Sequence, residues 1–127
     1  MAVDKQTDKN TNIELLKQEV DSYIEERDWS KYHNPKDLTL SLVIELAELM
    51  ELFQWENQES IEEKLDDPEE REKIKEEIAD VMIYLLSFCN KTDIDLSSTV
   101  LKKIEKVKEK YPKERVLNEE IYKKDGL

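Results

Sequence analysis

The chain has 127 residues, which is enough for one domain and too few for two of ordinary size. Charged residues make up 41% of it, and it contains one glycine and three prolines, so few tight turns are expected. Its formal net charge of −12 opposes bulk attraction to nucleic-acid phosphates or to anionic lipid. Composition therefore predicts a single all-α domain, with neither a nucleic-acid polymer nor a membrane as its partner.

The first half of the sequence predicts two helices after a polar lead-in at 1–11. A helix at 12–27 is indicated by apolar side chains that recur at helical spacing, namely Ile13, Leu16, Val20 and Tyr23. Asn34, followed by proline, marks a turn or the start of a helix. The second helix is predicted at 37–56, with Asp37 as its N-cap.

Two further helices are predicted in the rest of the chain. Asp67 followed by Pro68 is a strong start signal, because an acidic cap precedes a proline at the first helical position. This third helix should continue to about residue 90, and a fourth should end near 111. Residues 113–127 are polar and predict a loosely held tail.

Four helices joined by short links predict a four-helix bundle. Two of them are apolar nearly all round, within 38–55 and within 78–89. A helix of this kind is buried on more than one side, which a small monomer cannot provide. The bundle is therefore expected to be completed by oligomerisation.

The location of the protein is predicted from features that the sequence lacks. No N-terminal apolar stretch resembles a signal peptide, and no run reaches the roughly 18 apolar residues of a membrane span. Cys89 is the one cysteine and lies in an apolar helical run, where a buried thiol is expected. We therefore predict a cytoplasmic protein.

Four acidic residues stand out because their neighbours along the helix are apolar: Glu45, Glu48, Glu77 and Asp80. Within each pair the two residues are three positions apart, so they lie about 60° apart on one helix face. The acids between 59 and 76 differ, since they alternate with bases as on a solvated helix face. Ionised carboxylates in apolar surroundings are costly unless a positive charge compensates them.

Three kinds of compensation are open to these four carboxylates. The first is a basic side chain, but 38–55 and 76–90 contain no lysine or arginine, so it would come from the fourth helix or from another subunit. The second is protonation, which like charges promote. The third is a divalent cation, held as bundle cores hold metals. An all-oxygen set without histidine suits Mg²⁺, with Mn²⁺ as a substitute.

The same acids belong to a longer pattern. The pair Glu45 and Glu48, then 28 residues, then the pair Glu77 and Asp80 resembles the signature of the MazG-like all-α nucleoside triphosphate pyrophosphohydrolases. The surrounding segments resemble the dCTP pyrophosphatase branch of that family. They are Glu25–Trp29, Tyr32–Pro35, Leu52–Trp55, Glu76–Tyr84 and Tyr111–Pro112. The likeness extends from about Leu15 to Pro112.

This resemblance implies a homodimer or homotetramer that binds Mg²⁺ through Glu45, Glu48, Glu77 and Asp80. It implies cleavage of a nucleoside triphosphate, dCTP or a modified dCTP among the expected substrates, between the α- and β-phosphates to a monophosphate and pyrophosphate. Glu48 is the expected general base, and Glu51 is expected to support the metal ligands. The substrate-binding residues that it implies are Trp29, His33, Trp55, Tyr84, Lys103 and Lys110.

Other functions remain open at this point. Hydrolysis of dUTP or of phosphoribosyl-ATP occurs in related folds, but the segments ending at Trp29 and Trp55 resemble neither group. A non-catalytic helical oligomer that binds a nucleotide or a protein partner is the alternative from another class. Such an oligomer gains nothing from four carboxylates set among apolar residues.

Overall fold

The structure, a computed structural model, describes residues 5–119, and these contain six α-helices, a short 3₁₀ helix and no β-strand. The helices are α1 (Ile13–Glu26), α2 (Pro35–Glu51), α3 (Gln58–Asp66), α4 (Pro68–Thr92), α5 (Leu96–Lys110) and α6 (Lys113–Glu119), and the 3₁₀ helix is Ser30–Tyr32. The all-α prediction is confirmed. The predicted polar termini extend beyond the described residues at 1–4 and 120–127.

The helix starts follow from their capping side chains. Asn12, Asn57, Asp67 and Asp95 each accept a hydrogen bond from a backbone N–H of the first turn. The second helix begins two residues earlier than predicted. Its cap is Asn34, whose side-chain oxygen accepts from the N–H of Asp37 at 2.8 Å. Pro35 therefore occupies the first turn, where a missing N–H costs nothing.

The predicted helix at 37–56 ends at Glu51, because residues 52–55 form a turn. Asn57 and Ser60 then make a reciprocal capping box that starts α3, which we did not predict as a separate helix. Lys64 of α3 donates to the carbonyl oxygen of Leu52 at 2.6 Å. A positive charge at the end of α2 complements the helix dipole.

Helix α4 is the centre of the packing, since α1, α2 and α3 all contact it. The buried apolar side chains come from three helices: Val20, Ile24, Leu38, Ile74, Leu86 and Cys89. The Asn90 side chain adds a polar link, because its amide donates to the carbonyl of Lys17 on α1 at 3.0 Å. Packing of α2 against α4 brings the two predicted acidic pairs onto neighbouring helices.

The chain divides into two compact units between Asp93 and Ile94. The second unit contains α5, the predicted fourth helix, and α6, which lies where a tail was expected. On α5, Val100, Ile104 and Val107 line one shallow apolar depression. The predictions of a single domain and of completion by oligomerisation are not tested by this division and stay predictions.

Helix α2 carries a second apolar face that the described part of the chain leaves exposed. Leu40, Val43, Ile44 and Ala47 have the i, i+3, i+4, i+7 spacing of one helix stripe, and all four are exposed. Val43 has 63% of its surface exposed. Among residues 5–119, no helix is both long enough and apolar enough to cross a bilayer.

Candidate metal and nucleotide site

Three of the four predicted carboxylates converge where α2 packs on α4. Glu45, Glu48 and Glu77 each place one carboxylate oxygen within 4.8 Å of the others. Glu45 and Glu77 are half-buried, whereas Glu48 is exposed. The i, i+3 spacing puts the two α2 residues on one face, and helix packing brings Glu77 to them. This group has the geometry to hold a metal ion.

Two of these carboxylates contain an oxygen that nothing in residues 5–119 satisfies. Glu45 Oε2 and Glu77 Oε2 are both buried and have no hydrogen-bond partner. Buried polar atoms are nearly always paired, so such exceptions call for a ligand. Because hard carboxylate oxygens are the donors that Mg²⁺ and Mn²⁺ prefer, the residues present fit such an ion.

The electrostatics of the site follow from this crowding. Burial is the main cause that raises the pKa of the Glu45 carboxyl, followed by the adjacent Glu48 and the charges of Asp80 and Glu77. Burial likewise raises the pKa of Glu77, with Glu48 and Asp80 adding to the effect. Each carboxylate would therefore be stabilised by a nearby cation.

Asp80 lies beside the group of three rather than within it. It is half-buried on α4 and lines a cavity together with Glu45. Its charge acts on both Glu45 and Glu77, which places it close to the convergent oxygens. Of the four acids predicted to form one site, three therefore form one cluster, and the fourth, Asp80, lies in the wall of the adjoining cavity.

The adjoining cavity has a volume of about 220 Å³ and brings together several predicted substrate-binding residues. Trp29, His33 and Tyr84 line it along with Glu45 and Asp80. The Nδ1 atom of His33 is buried there without a hydrogen-bond partner in the described chain. The cavity thus combines an aromatic wall, a free imidazole nitrogen and carboxylates.

Trp29 reaches this cavity because of the way α1 ends. Asp28 adopts the left-handed conformation with φ of 55°, which aspartate tolerates better than most residues. The N–H of Asp28 donates to Glu25 O at 3.0 Å, and the N–H of Trp29 donates to Ile24 O at 3.1 Å. These two bonds make a Schellman motif, which turns the chain so that Trp29 packs back towards Ile24.

Two other predicted residues of the first unit, Trp55 and Glu51, do not line this cavity. Trp55 is in the turn after α2 and is 88% exposed, and Glu51 is an exposed acid at the end of that helix. Lys103 and Lys110 belong to α5, in the second unit, where the ammonium of Lys110 lies 5.2 Å from the ring centre of Tyr111. Their roles towards a substrate stay predictions.

The cavity also contains residues that the sequence reasoning assigned differently or missed. Tyr23 was predicted only as an apolar position of the first helix, yet it lines the cavity, and so does the buried Ser87. A signal for Tyr23 was available in principle. Arg27 follows it by four residues, a spacing that lets a guanidinium cover a tyrosine ring on a helix.

Comparison with known proteins gives consistent matches. The model of the MazG-like family matches residues 40–125. The dCTP pyrophosphatase 1 of Homo sapiens is 40% identical over 87 residues, which are 68% of this chain and 51% of that protein. The protein of the same name from Rattus norvegicus is 39% identical, with the same shares covered. The chain therefore spans about half the length of these curated relatives.

A solved structure matches over a larger share of its length. A pyrophosphatase from Archaeoglobus fulgidus superimposes with a TM-score of 0.75 at 39% sequence identity. The alignment covers 86% of this chain and 100% of that one. At this level of identity the likeness extends to sequence as well as to fold.

Proposed function

The chain belongs to the MazG-like family, and we propose that it hydrolyses nucleoside triphosphates between the α- and β-phosphates, giving a nucleoside monophosphate and pyrophosphate. The observation that carries this proposal is the convergence of Glu45, Glu48 and Glu77 beside an aromatic-walled cavity. The names of the relatives, dCTP pyrophosphatase and pyrophosphatase, support it. In this reaction the three carboxylates would bind a metal ion, whereas in a purely structural helical protein they would have no role.

The proposed cofactor is Mg²⁺, with Mn²⁺ as a substitute, and Glu45, Glu48, Glu77 and Asp80 would hold it. The unpartnered oxygens of Glu45 and Glu77 support this assignment. A divalent ion there would neutralise phosphate charge and help to orient a water molecule. It would also reconcile an anionic substrate with a chain whose net charge is −12.

Within this proposal Glu48 is the general base. Its carboxylate is the exposed member of the cluster, so it can face a water molecule and the substrate. Glu48 takes a proton from that water as the oxygen bonds to phosphorus, and the bridging P–O bond breaks. Pyrophosphate then leaves. Glu51, one turn further along α2, is proposed to support the ligands from outside the cluster.

The nucleoside is proposed to occupy the cavity. Trp29 would stack on the base, as aromatic side chains do in nucleotide sites. His33 and Tyr84 line the same space and offer polar atoms to the base or sugar. Trp55 is proposed to contribute a second ring. Lys103 and Lys110 are proposed to contact the phosphates.

The substrate class that we propose is dCTP or a modified dCTP. The names of the mammalian relatives support a cytosine nucleotide. The aromatic wall favours a flat base but by itself distinguishes one base from another only weakly, because every base has a face on which a ring can stack. A cytosine preference must therefore come from polar contacts at the base edge.

We also propose that the protein is a cytoplasmic homodimer or homotetramer. The exposed stripe of Leu40, Val43, Ile44 and Ala47 on α2 supports association. Contiguous apolar side chains on a helix face that points away from its own core are typical of a surface that another subunit covers.

The test is an assay of the purified protein with Mg²⁺ and a panel of nucleoside triphosphates that includes dCTP, 5-methyl-dCTP, dUTP and ATP. We expect a monophosphate and pyrophosphate in equal amounts, with dCTP or its modified form turned over fastest. Glu48→Gln should lower kcat by about a hundredfold or more, and Glu62→Gln, which changes an exposed acid of α3, should match the unaltered protein.

Other outcomes have definite meanings. Release of orthophosphate would point to a different phosphohydrolase mechanism. No turnover across the panel would overturn the proposed activity and favour a helical oligomer that binds a nucleotide or a protein partner.

A further inference from the structure

Two aromatic rings and one guanidinium form a packed group at the edge of the cavity. The rings of Tyr23 and Trp29 have their centres 5.6 Å apart and lie at 84° to each other, an edge-to-face arrangement. This is the geometry that the quadrupoles of two aromatic rings favour. The pair joins the last turn of α1 to the segment that follows its end.

Arg27, the C-cap residue of α1, contacts Tyr23 through its guanidinium. Its guanidinium carbon lies 4.4 Å from the centre of the Tyr23 ring and 6.0 Å from that of Trp29. Its Nη1 donates to the carbonyl oxygen of Tyr23 at 3.0 Å. Because that hydrogen bond fixes the guanidinium over the ring, Arg27 restricts Tyr23 in a way that cation–π attraction alone would not.

Neither ring owes its position to deep burial. Tyr23 is 45% exposed and Trp29 is 41% exposed. A tryptophan with this much open surface would sample several rotamers if its backbone alone were fixed. The Schellman motif fixes the backbone of Trp29, and its ring is in edge-to-face contact with that of Tyr23.

We infer that Tyr23 is a positioning residue for substrate, which holds the Trp29 ring in the orientation needed to stack on the nucleobase, with Arg27 holding Tyr23 in turn. The inference rests on the proposed function for its substrate. Both rings line the cavity that contains Glu45 and Asp80, so the orientation of Trp29 sets the space left for a base. Fixing the ring before binding lowers the entropy lost when the base stacks.

The kinetic test compares Tyr23→Phe, Tyr23→Ala, Trp29→Ala and the double variant of the two alanine changes, with dCTP and Mg²⁺. Tyr23→Ala should raise KM about threefold to tenfold, the range expected for one aromatic pair, and should change kcat by less than about twofold. Tyr23→Phe keeps the ring and should behave like the unaltered protein. In the Trp29→Ala background, Tyr23→Ala should have no further effect.

Tyr32→Ala is the matched control, because Tyr32 is an exposed tyrosine of the neighbouring 3₁₀ helix and does not line the cavity. It should leave KM unchanged. A loss of kcat in Tyr23→Ala at constant KM would overturn the inference. A KM rise that persists in the Trp29→Ala background would overturn it as well.

A second measurement tests the positioning without any turnover. The sequence has two tryptophans, so Trp55→Phe leaves Trp29 as the only tryptophan fluorophore. In that background, Tyr23→Ala should make acrylamide quenching of Trp29 steeper, and Tyr23→Phe should not. Unchanged quenching in Tyr23→Ala would overturn the positioning role. If the unaltered protein hydrolyses no nucleotide while the variants show the expected quenching, the proposed function is overturned and the contact between Tyr23 and Trp29 still stands.

Discussion

A carboxylate oxygen of Glu45 on α2 lies within 4.8 Å of one of Glu77 on α4, and each of these residues keeps a buried oxygen without a hydrogen-bond partner in the described chain. Two acids in this relationship repel each other and are poorly solvated. The folded protein tolerates them because α2 and α4 pack through many other side chains. Such a site lowers the stability of the metal-free protein, and the same carboxylates favour the binding of a cation.

The first prediction is that removal of one charge from this pair stabilises the metal-free protein. Glu45→Gln keeps the shape of the side chain and removes a half-buried charge, so its melting temperature in EDTA at pH 7 should exceed that of the unaltered protein. Added Mg²⁺ should raise the melting temperature of the unaltered protein more than that of the variant, because ligand binding to the folded state stabilises it. Differential scanning fluorimetry measures both effects.

Glu62→Gln is the control for this experiment, since Glu62 is an exposed acid on α3. It should change neither the melting temperature in EDTA nor the response to Mg²⁺. Destabilisation by Glu45→Gln in EDTA would contradict the interpretation that a buried oxygen of this carboxylate, Oε2, lacks a partner in the metal-free state.

The second prediction concerns pH. The folded state raises the pKa of Glu45 and Glu77 above the ordinary value of 4.5, mainly through burial. A carboxyl with a raised pKa favours folding while it is protonated, and this contribution is lost as pH rises from 4.5 through the folded-state pKa. In EDTA, the melting temperature of the unaltered protein relative to that of the Glu45→Gln, Glu77→Gln double variant should therefore fall as pH increases from 4 to 7. If the relative melting temperature rises over this range, folding lowers the pKa of these carboxyls instead of raising it, and the prediction is wrong.

The third prediction separates chemistry from folding at the acidic cluster. Glu48→Gln removes the proposed base and should lower kcat by about a hundredfold or more, the usual effect of losing a general base. Asp80→Asn, at the cavity wall, should also reduce turnover severely. Circular dichroism should show unchanged helical content in both, because Glu48 is exposed and Asp80 is only half-buried. Full activity in either variant would remove that residue from the proposed site.

The fourth prediction addresses association through α2. Val43 is 63% exposed in the middle of the apolar stripe, so Val43→Arg should place a charge in the proposed subunit contact. Light scattering coupled to size exclusion should show smaller particles for this variant than for the unaltered protein. Gln58→Arg, an exposed change on α3, is the control and should leave the mass unchanged. Equal masses for all three proteins would argue against this face as the contact.

Much of the secondary structure could be predicted from local signals. Asp67 and Pro68 marked the start of α4, and the apolar spacing located α1. The end of α2 was misjudged because Leu52 and Phe53 continue the apolar pattern beyond Glu51, although the chain turns there. Periodicity detects a helix face but does not show where backbone hydrogen bonding stops when no glycine or proline marks the end.

The site was predictable where it depends on spacing within one helix. Glu45 and Glu48 lie on one face of α2 for any protein in which that segment is helical. The position of Trp55 was less predictable. It is 88% exposed in the turn after α2. The resemblance of the Leu52–Trp55 segment to a family motif does not show which residues surround the Trp55 side chain. Exposure depends on the packing of distant segments, which a local motif does not record.

The sequence by itself determined four of the six described helices, the acidic pairs and the family pattern, because these depend on the order and spacing of neighbouring residues. Only the tertiary structure decided that Glu77 meets Glu45 and Glu48 while Asp80 lies in the adjoining cavity wall. It alone also showed that the ring of Tyr23 packs edge-to-face against that of Trp29. The physical reason is that such contacts depend on the register and rotation of one helix against another, which are set by the whole packed core rather than by any local segment.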